Sequence, residues 1–87
     1  MKFMLTFTIS PEDRDEAISR FKTTGGRPPR GVKLLGRWTA ADLSGGFDLI
    51  ECDDVKALAA FSLTWSDLME IAAVPVIEDK ALGAVVG

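Results

Sequence analysis

"LLGRWTAADLSGGFDLIE", residues 34–51, decides the fold. Two apolar stretches flank a centre rich in turn formers, Asp42, Ser44, Gly45 and Gly46, and the segment reads as a β-hairpin. Its first arm sets Arg37 beside Trp38. Neighbours in a strand project to opposite sides, so one of this pair enters the core and the other lies on the second surface of the sheet. With Ala40 opposite Phe47, Trp38 opposes Leu49, Thr39 opposes Asp48 and Arg37 opposes Ile50. That register predicts Trp38, Phe47 and Leu49 in the core beside Val32 and Leu34, with Arg37, Asp48 and Ile50 on the other face.

Outward from the hairpin, residues 2–9 alternate: Phe3, Leu5, Phe7 and Ile9 share one side, and Lys2, Met4, Thr6 and Thr8 the other. This predicts a first strand. Ser10 suits a helix N-cap, Pro11 the first helical position, and the acidic residues 12, 13, 15 and 16 the positive end of the dipole. The helix runs to about Thr24, burying Ala17, Ile18, Phe21 and the stem of Arg14. "GGRPPRG", residues 25–31, stops it, and the second strand spans about 32–40. The third strand spans about 47–52. Asp53 or Asp54 caps a second helix with the stripe Val55, Leu58, Ala59, Phe61 and Trp65, ending near Ser66 or Asp67. "MEIAAVPVI", residues 69–77, makes a fourth strand, and Pro75 places it at an edge. The tail 78–87 is open between a short helix, a frayed end and an arm reaching a second subunit.

The order is βαββαβ. With right-handed crossovers it predicts one α+β domain over 1–87, ferredoxin-like, with an antiparallel sheet in the order 4-1-3-2 and both helices on one face.

Composition narrows the chemistry. The 87 residues carry ten basic and thirteen acidic side chains, a net charge of −3 that argues against nucleic acid or an anionic membrane surface as partner. No apolar run approaches the roughly 18 residues that cross a bilayer. The chain has one cysteine, and "MKFMLTFTIS" alternates like a strand rather than a signal sequence, so a cytoplasmic setting is expected. Histidine is absent, which removes histidine-ligated metal and haem, histidine bases and the serine–histidine–aspartate triad. Neither a cofactor nor a metal site is expected.

The face away from the helices is expected to carry Met4, Thr6, Thr8, Leu35, Arg37, Thr39, Asp48, Ile50, Ala72, Val74 and Val76. That mixture is too apolar to stand bare in water and too polar for a sealed core. A homodimer in which two such faces meet across a two-fold axis is therefore expected.

"MKFMLTFTI", "GVKLLGRWTAADLSGGF", "ECDDVKALAAF" and "WSDLMEIAAVPVI" resemble, along nearly the whole chain, the small bacterial family catalogued as domain of unknown function 3303. That family is similar to the dimeric α/β-barrel superfamily. The resemblance implies a ferredoxin-like fold and a sheet-to-sheet dimer, and brings no established activity. Wider relatives in the superfamily include cofactor-independent monooxygenases, lactone isomerases and haem-degrading enzymes, which use a pocket between sheet and helices; the histidine-dependent ones among them are no models for a chain without histidine.

Trp38 and Trp65 are candidate walls of a pocket for a flat apolar molecule, with core packing as the simpler role, since a small domain spends its large aromatics on burial. Arg37 is a candidate anion ligand, with an ion pair to Asp48 as the simpler role. Lys22, Arg27, Arg30, Lys33 and Arg37 form a basic cluster that reads as a solvated loop. Cys52 lies between Glu51 and Asp53, an unfavourable setting for a thiolate. Glu51, expected on the core side at a strand end, is the weak candidate for a catalytic base.

Three functions fit the sequence. The preferred one is a homodimer holding a small, partly apolar ligand between helices and sheet, with Trp38, Trp65 and Arg37 around it. The alternatives are a cofactor-independent enzyme of monooxygenase or isomerase type, and a pure protein-interaction module.

Overall fold

In a computed structural model describing residues 1–87, strand β1 (Lys2–Ile9) leads through a 3-10 turn (Pro11–Asp13) into helix α1 (Arg14–Thr24). Strands β2 (Val32–Thr39) and β3 (Gly45–Cys52) form the hairpin, followed by α2 (Val55–Leu63), β4 (Met69–Val76) and α3 (Asp79–Val86). Pro11 opens the first turn, and Gly25, at φ 71°, closes α1 by donating its N–H to the Phe21 carbonyl. That left-handed φ is one glycine adopts without steric cost. Helix α2 begins where the Asp54 carboxylate accepts the Lys56 N–H at 2.9 Å, a cap that satisfies one of the free donors of the first turn.

The sheet order is β2-β3-β1-β4 with every neighbour antiparallel, the expected order read from its opposite edge. Pro75 sits in the edge strand β4, where a missing donor costs no ladder bond on the open side. Both long helices cover one face. Phe3, Leu5, Val32, Ile50 and Cys52 from the sheet meet Leu58 and Phe61 of α2 in the core. No helix is long and apolar enough to cross a membrane.

The hairpin departs from expectation. Leu34 pairs with Ile50, but Gly36 pairs with Leu49, so Leu35 is an extra residue in a β-bulge. A bulge moves every later side chain of its strand to the other face. Arg37 therefore opposes Asp48 and enters the core side, while Trp38 opposes Phe47 on the helix-free side. Trp38 is 57% exposed and Phe47 50%, whereas Ile50 and Asp48 are buried. The neighbouring pair does split between two faces, with the faces exchanged.

Glycine is needed where it stands in the bulge: a Cβ on Gly36 would lie 2.7 Å from the Trp38 ring folded across it. The third strand reverses likewise. Ile50 and Cys52 fill the core opposite Leu34 and Val32, and Phe47 and Leu49 face away from the helices.

The chain beyond β4 is a short helix, one of the three readings open for the tail. Its residues are exposed throughout, Leu82, Val85 and Val86 included, and an ion pair between Lys2 and Glu78 fixes its start. Helix α2 stops at Leu63, earlier than expected. Trp65 thus lies in the turn after it, its N–H on the Ser62 carbonyl at 3.2 Å.

Candidate functional site

Helix α1 buries only Ala17 fully; Ile18 and Phe21, which the sequence places in its buried stripe, remain 37% and 49% exposed. The reason is a cavity of about 350 Å³ beneath it. Leu5, Phe7 and Ile71 of the sheet form its floor, Ala17 and Phe21 its roof, and Phe61 and Trp65 its inner wall. Arg14, Ile18, Phe21, Thr39 and Leu43 are its exposed lining and mark the mouth. The volume is at the small end of the roughly 300–1,000 Å³ usual for small-molecule sites, and mostly apolar walls with a few polar groups are what such sites share.

One ion pair supplies most of the interior polarity. Arg37 Nε donates to Asp48 Oδ1 at 2.6 Å and Nη2 to Oδ2 at 3.0 Å, and Nη2 also donates to the Gly26 carbonyl at 2.8 Å. The Asp48 side chain is 5% exposed and that of Arg37 20%. This fork-to-fork geometry fixes the guanidinium plane and ties the loop after α1 down to the sheet. Gly26, at φ 62°, must be glycine twice over: a Cβ there would strike the Arg37 guanidinium and approach the Phe21 ring to 3.1 Å.

A second arginine pins α1 on its other flank. Arg20 donates from Nη1 and Nη2 to the two carboxylate oxygens of Asp67, both at 2.8 Å, and from Nη1 to the Thr64 carbonyl at 2.7 Å. Its guanidinium lies 5.4 Å from the centre of the Trp65 ring, within cation–π range. The hydrogen bond from Arg20 holds the Asp67 carboxyl below the usual aspartate range, and partial desolvation opposes this more weakly. A lowered folded pKa means stability fully present above the unfolded value, near 3.9, and lost as pH falls through the folded one. Urea midpoints of the wild type and Asp67→Asn should therefore differ at about pH 6 and converge toward about pH 2. A gap that persists at the acid end would assign the effect to shape rather than charge.

The remaining sequence candidates lie elsewhere. Trp38 is on the helix-free face and does not line the cavity. Its large ring followed the bulge, so the expectation that it walls a pocket with Trp65 is corrected. Glu51 is exposed on that same face, between Lys2 and Lys33 in the neighbouring strands, so its expected core-side position is corrected as well. Of the basic cluster, Arg37 is engaged by Asp48, Lys33 faces away from the helices, and Lys22, Arg27 and Arg30 stand in solvent. Cys52 is buried in the core with Sγ donating to the Asp54 carbonyl at 2.8 Å. No group of three acidic or cysteine side chains gathers that could hold a metal ion.

The model of the family described as domain of unknown function (DUF3303) matches residues 1–87, from the first strand through the last helix. The chain belongs to that family. No curated protein matches it. In this family member the cavity gathers Arg37 and Trp65 from the sequence candidates and adds residues the sequence did not single out for a site: Phe7, Arg14, Thr39, Leu43 and Asp48. Leu43 carries a signal that only the backbone reveals. It sits at φ 64°, a left-handed conformation uncommon for a leucine.

Proposed function

We propose that this protein is a homodimer, ferredoxin-like in each subunit and joined sheet to sheet as in dimeric α/β barrels, whose subunits each hold a small, partly apolar ligand between helices and sheet. The observation that carries the ligand reading is the 350 Å³ cavity under α1, because a helix with two arginine ties and little apolar packing spans a space rather than filling it. Binding is favoured over turnover by the state of the carboxylates. Both oxygens of Asp48 accept from Arg37, and Glu51 lies across the sheet from the cavity.

The dimer is supported by the pattern on the helix-free face. Two rows run across the sheet, Val74–Met4–Leu49–Gly36 and Ala72–Thr6–Phe47–Trp38. A charged row, Lys2–Glu51–Lys33, closes one end, and Glu70 lies at the other. A two-fold axis between the apolar rows, parallel to them, seats each row on the other row of the partner and brings the lysine end over the end that holds Glu70. Four strands about 4.8 Å apart and eight residues long at about 3.3 Å per residue offer roughly 500 Å² in projection. The accessible area of such a corrugated face is larger, comparable to the roughly 800 Å² per partner of a standard interface.

Native mass spectrometry on protein taken gently from cells tests both parts. The expected result is a species of twice the 9.4 kDa chain mass that carries up to two copies of a small molecule, released on denaturation. A bare 9.4 kDa species at micromolar concentration would remove the dimer, and a cavity that takes up no apolar probe would remove the ligand.

A further inference from the structure

We infer that the ligand of this cavity is an anionic amphiphile, an apolar chain or ring bearing one acidic head, bound with the head at the mouth beside Arg14 and the body against Phe7, Phe61 and Trp65. The inference rests on the ligand reading above and adds the chemical class. Three charged side chains line the cavity, Arg14, Arg37 and Asp48. Arg37 and Asp48 neutralise one another, so the charge left over is the guanidinium of Arg14. Its Nε meets the neighbouring Asp15 at 3.2 Å, an exposed contact between adjacent residues that water screens, and its two terminal nitrogens have no protein partner. The one charge in the lining that no other lining residue neutralises is thus basic.

The polar groups left without a protein partner also fall at one end. The deep lining, Leu5, Ala17 and Phe61, is buried and apolar, whereas Arg14 and the unpaired Thr39 hydroxyl stand at the exposed rim. A ligand charged at both ends, or in its middle, would bury an unmatched group in the apolar part at a prohibitive desolvation cost. Two apolar side chains frame the same opening, Ile18 from α1 and Leu43 from the hairpin loop. Leu43 stands in a left-handed conformation that an L-residue adopts at a steric cost, and strain of this kind collects where a side chain is held for use. Such a rim accepts the first methylenes of a tail while leaving its head in water beside the guanidinium.

Calorimetric titration with octanoate, octan-1-ol and octylamine, which share one tail and differ in head charge, tests the class. In Trp38→Phe the sole remaining tryptophan is Trp65, so its emission reports whether the tail reaches the inner wall. Octanoate is expected to bind about tenfold more tightly than octan-1-ol, as one charge-assisted contact at a partly exposed rim would give, with octylamine weakest. Arg14→Ala should abolish the preference for octanoate while leaving octan-1-ol unchanged, and Arg14→Lys should retain most of it. Equal binding of octanoate and octan-1-ol, or a preference that survives Arg14→Ala, would overturn the anionic class and leave the apolar cavity standing. Failure of all three probes to perturb Trp65 would overturn the cavity reading itself. Unchanged thermal melting of Arg14→Ala without ligand separates loss of the contact from loss of the fold.

Discussion

Asp48→Ala is expected to lower stability by about 3 kcal/mol, toward the lower end of the roughly 3–5 kcal/mol seen when one partner of a buried ion pair is removed. The carboxylate is almost fully buried, and it takes two of the three hydrogen bonds that Arg37 makes. Without it a guanidinium remains beneath α1 with only the Gly26 carbonyl as partner. Water entering through the cavity softens the penalty, since Arg37 is 20% exposed, and this sets the lower end of the range. A domain of this size has roughly 4–13 kcal/mol in total, so the variant should melt more than about 10 °C below the wild type. Arg37→Met combined with Asp48→Leu should recover much of the loss, because a buried pair and a well-packed apolar replacement are often of similar stability. A shift under about 1 kcal/mol for Asp48→Ala in urea unfolding would show that the pair is effectively solvated.

The strand order was legible because each element carries a local signal. Alternation in β1, Pro11 and Gly25 around α1, and Pro75 in β4 each act within a few residues. The faces of the hairpin were not legible in the same way. Both alternating sets of β3 contain large apolar residues, Phe47 and Leu49 in one and Ile50 and Cys52 in the other, so periodicity does not choose between them. The deciding signal is Gly36, since an isolated glycine inside a strand often marks a bulge, and a bulge reverses everything beyond it.

The site shares that dependence. Arg37 and Trp65 reach the cavity, but Trp38 and Glu51 were assigned to the core side by uninterrupted alternation, and one extra residue in β2 and the reversed face of β3 remove them from it. Arg14 was read for its stem alone. Its head matters because α1 stands over a void, a fact of packing that no single helix encodes.

Exchange of the two faces makes the helix-free surface more apolar than the sequence predicts, since Trp38, Phe47 and Leu49 replace Arg37, Asp48 and Ile50 upon it. This gives the second large effect. Trp38→Glu is expected to convert a dimer into a monomer at micromolar concentration. Tryptophan is enriched among residues whose truncation costs an interface at least about 2 kcal/mol, which corresponds to roughly a 30-fold weaker dissociation constant. Burying an unpaired carboxylate against the facing Leu49 row adds to that cost. Within one protomer the same change should be mild, because the Trp38 ring is 57% exposed and rests chiefly on Gly36. Glu51→Gln, at the charged end of the face, should change assembly little, as rim charges usually do. Sedimentation across a concentration series reads the result. The melting temperature should depend on protein concentration for the wild type and lose that dependence in Trp38→Glu, since a partner that binds only the folded chain stabilises it by mass action. A Trp38→Glu protein that still sediments at twice the chain mass would show that the sheet face is not where the subunits meet.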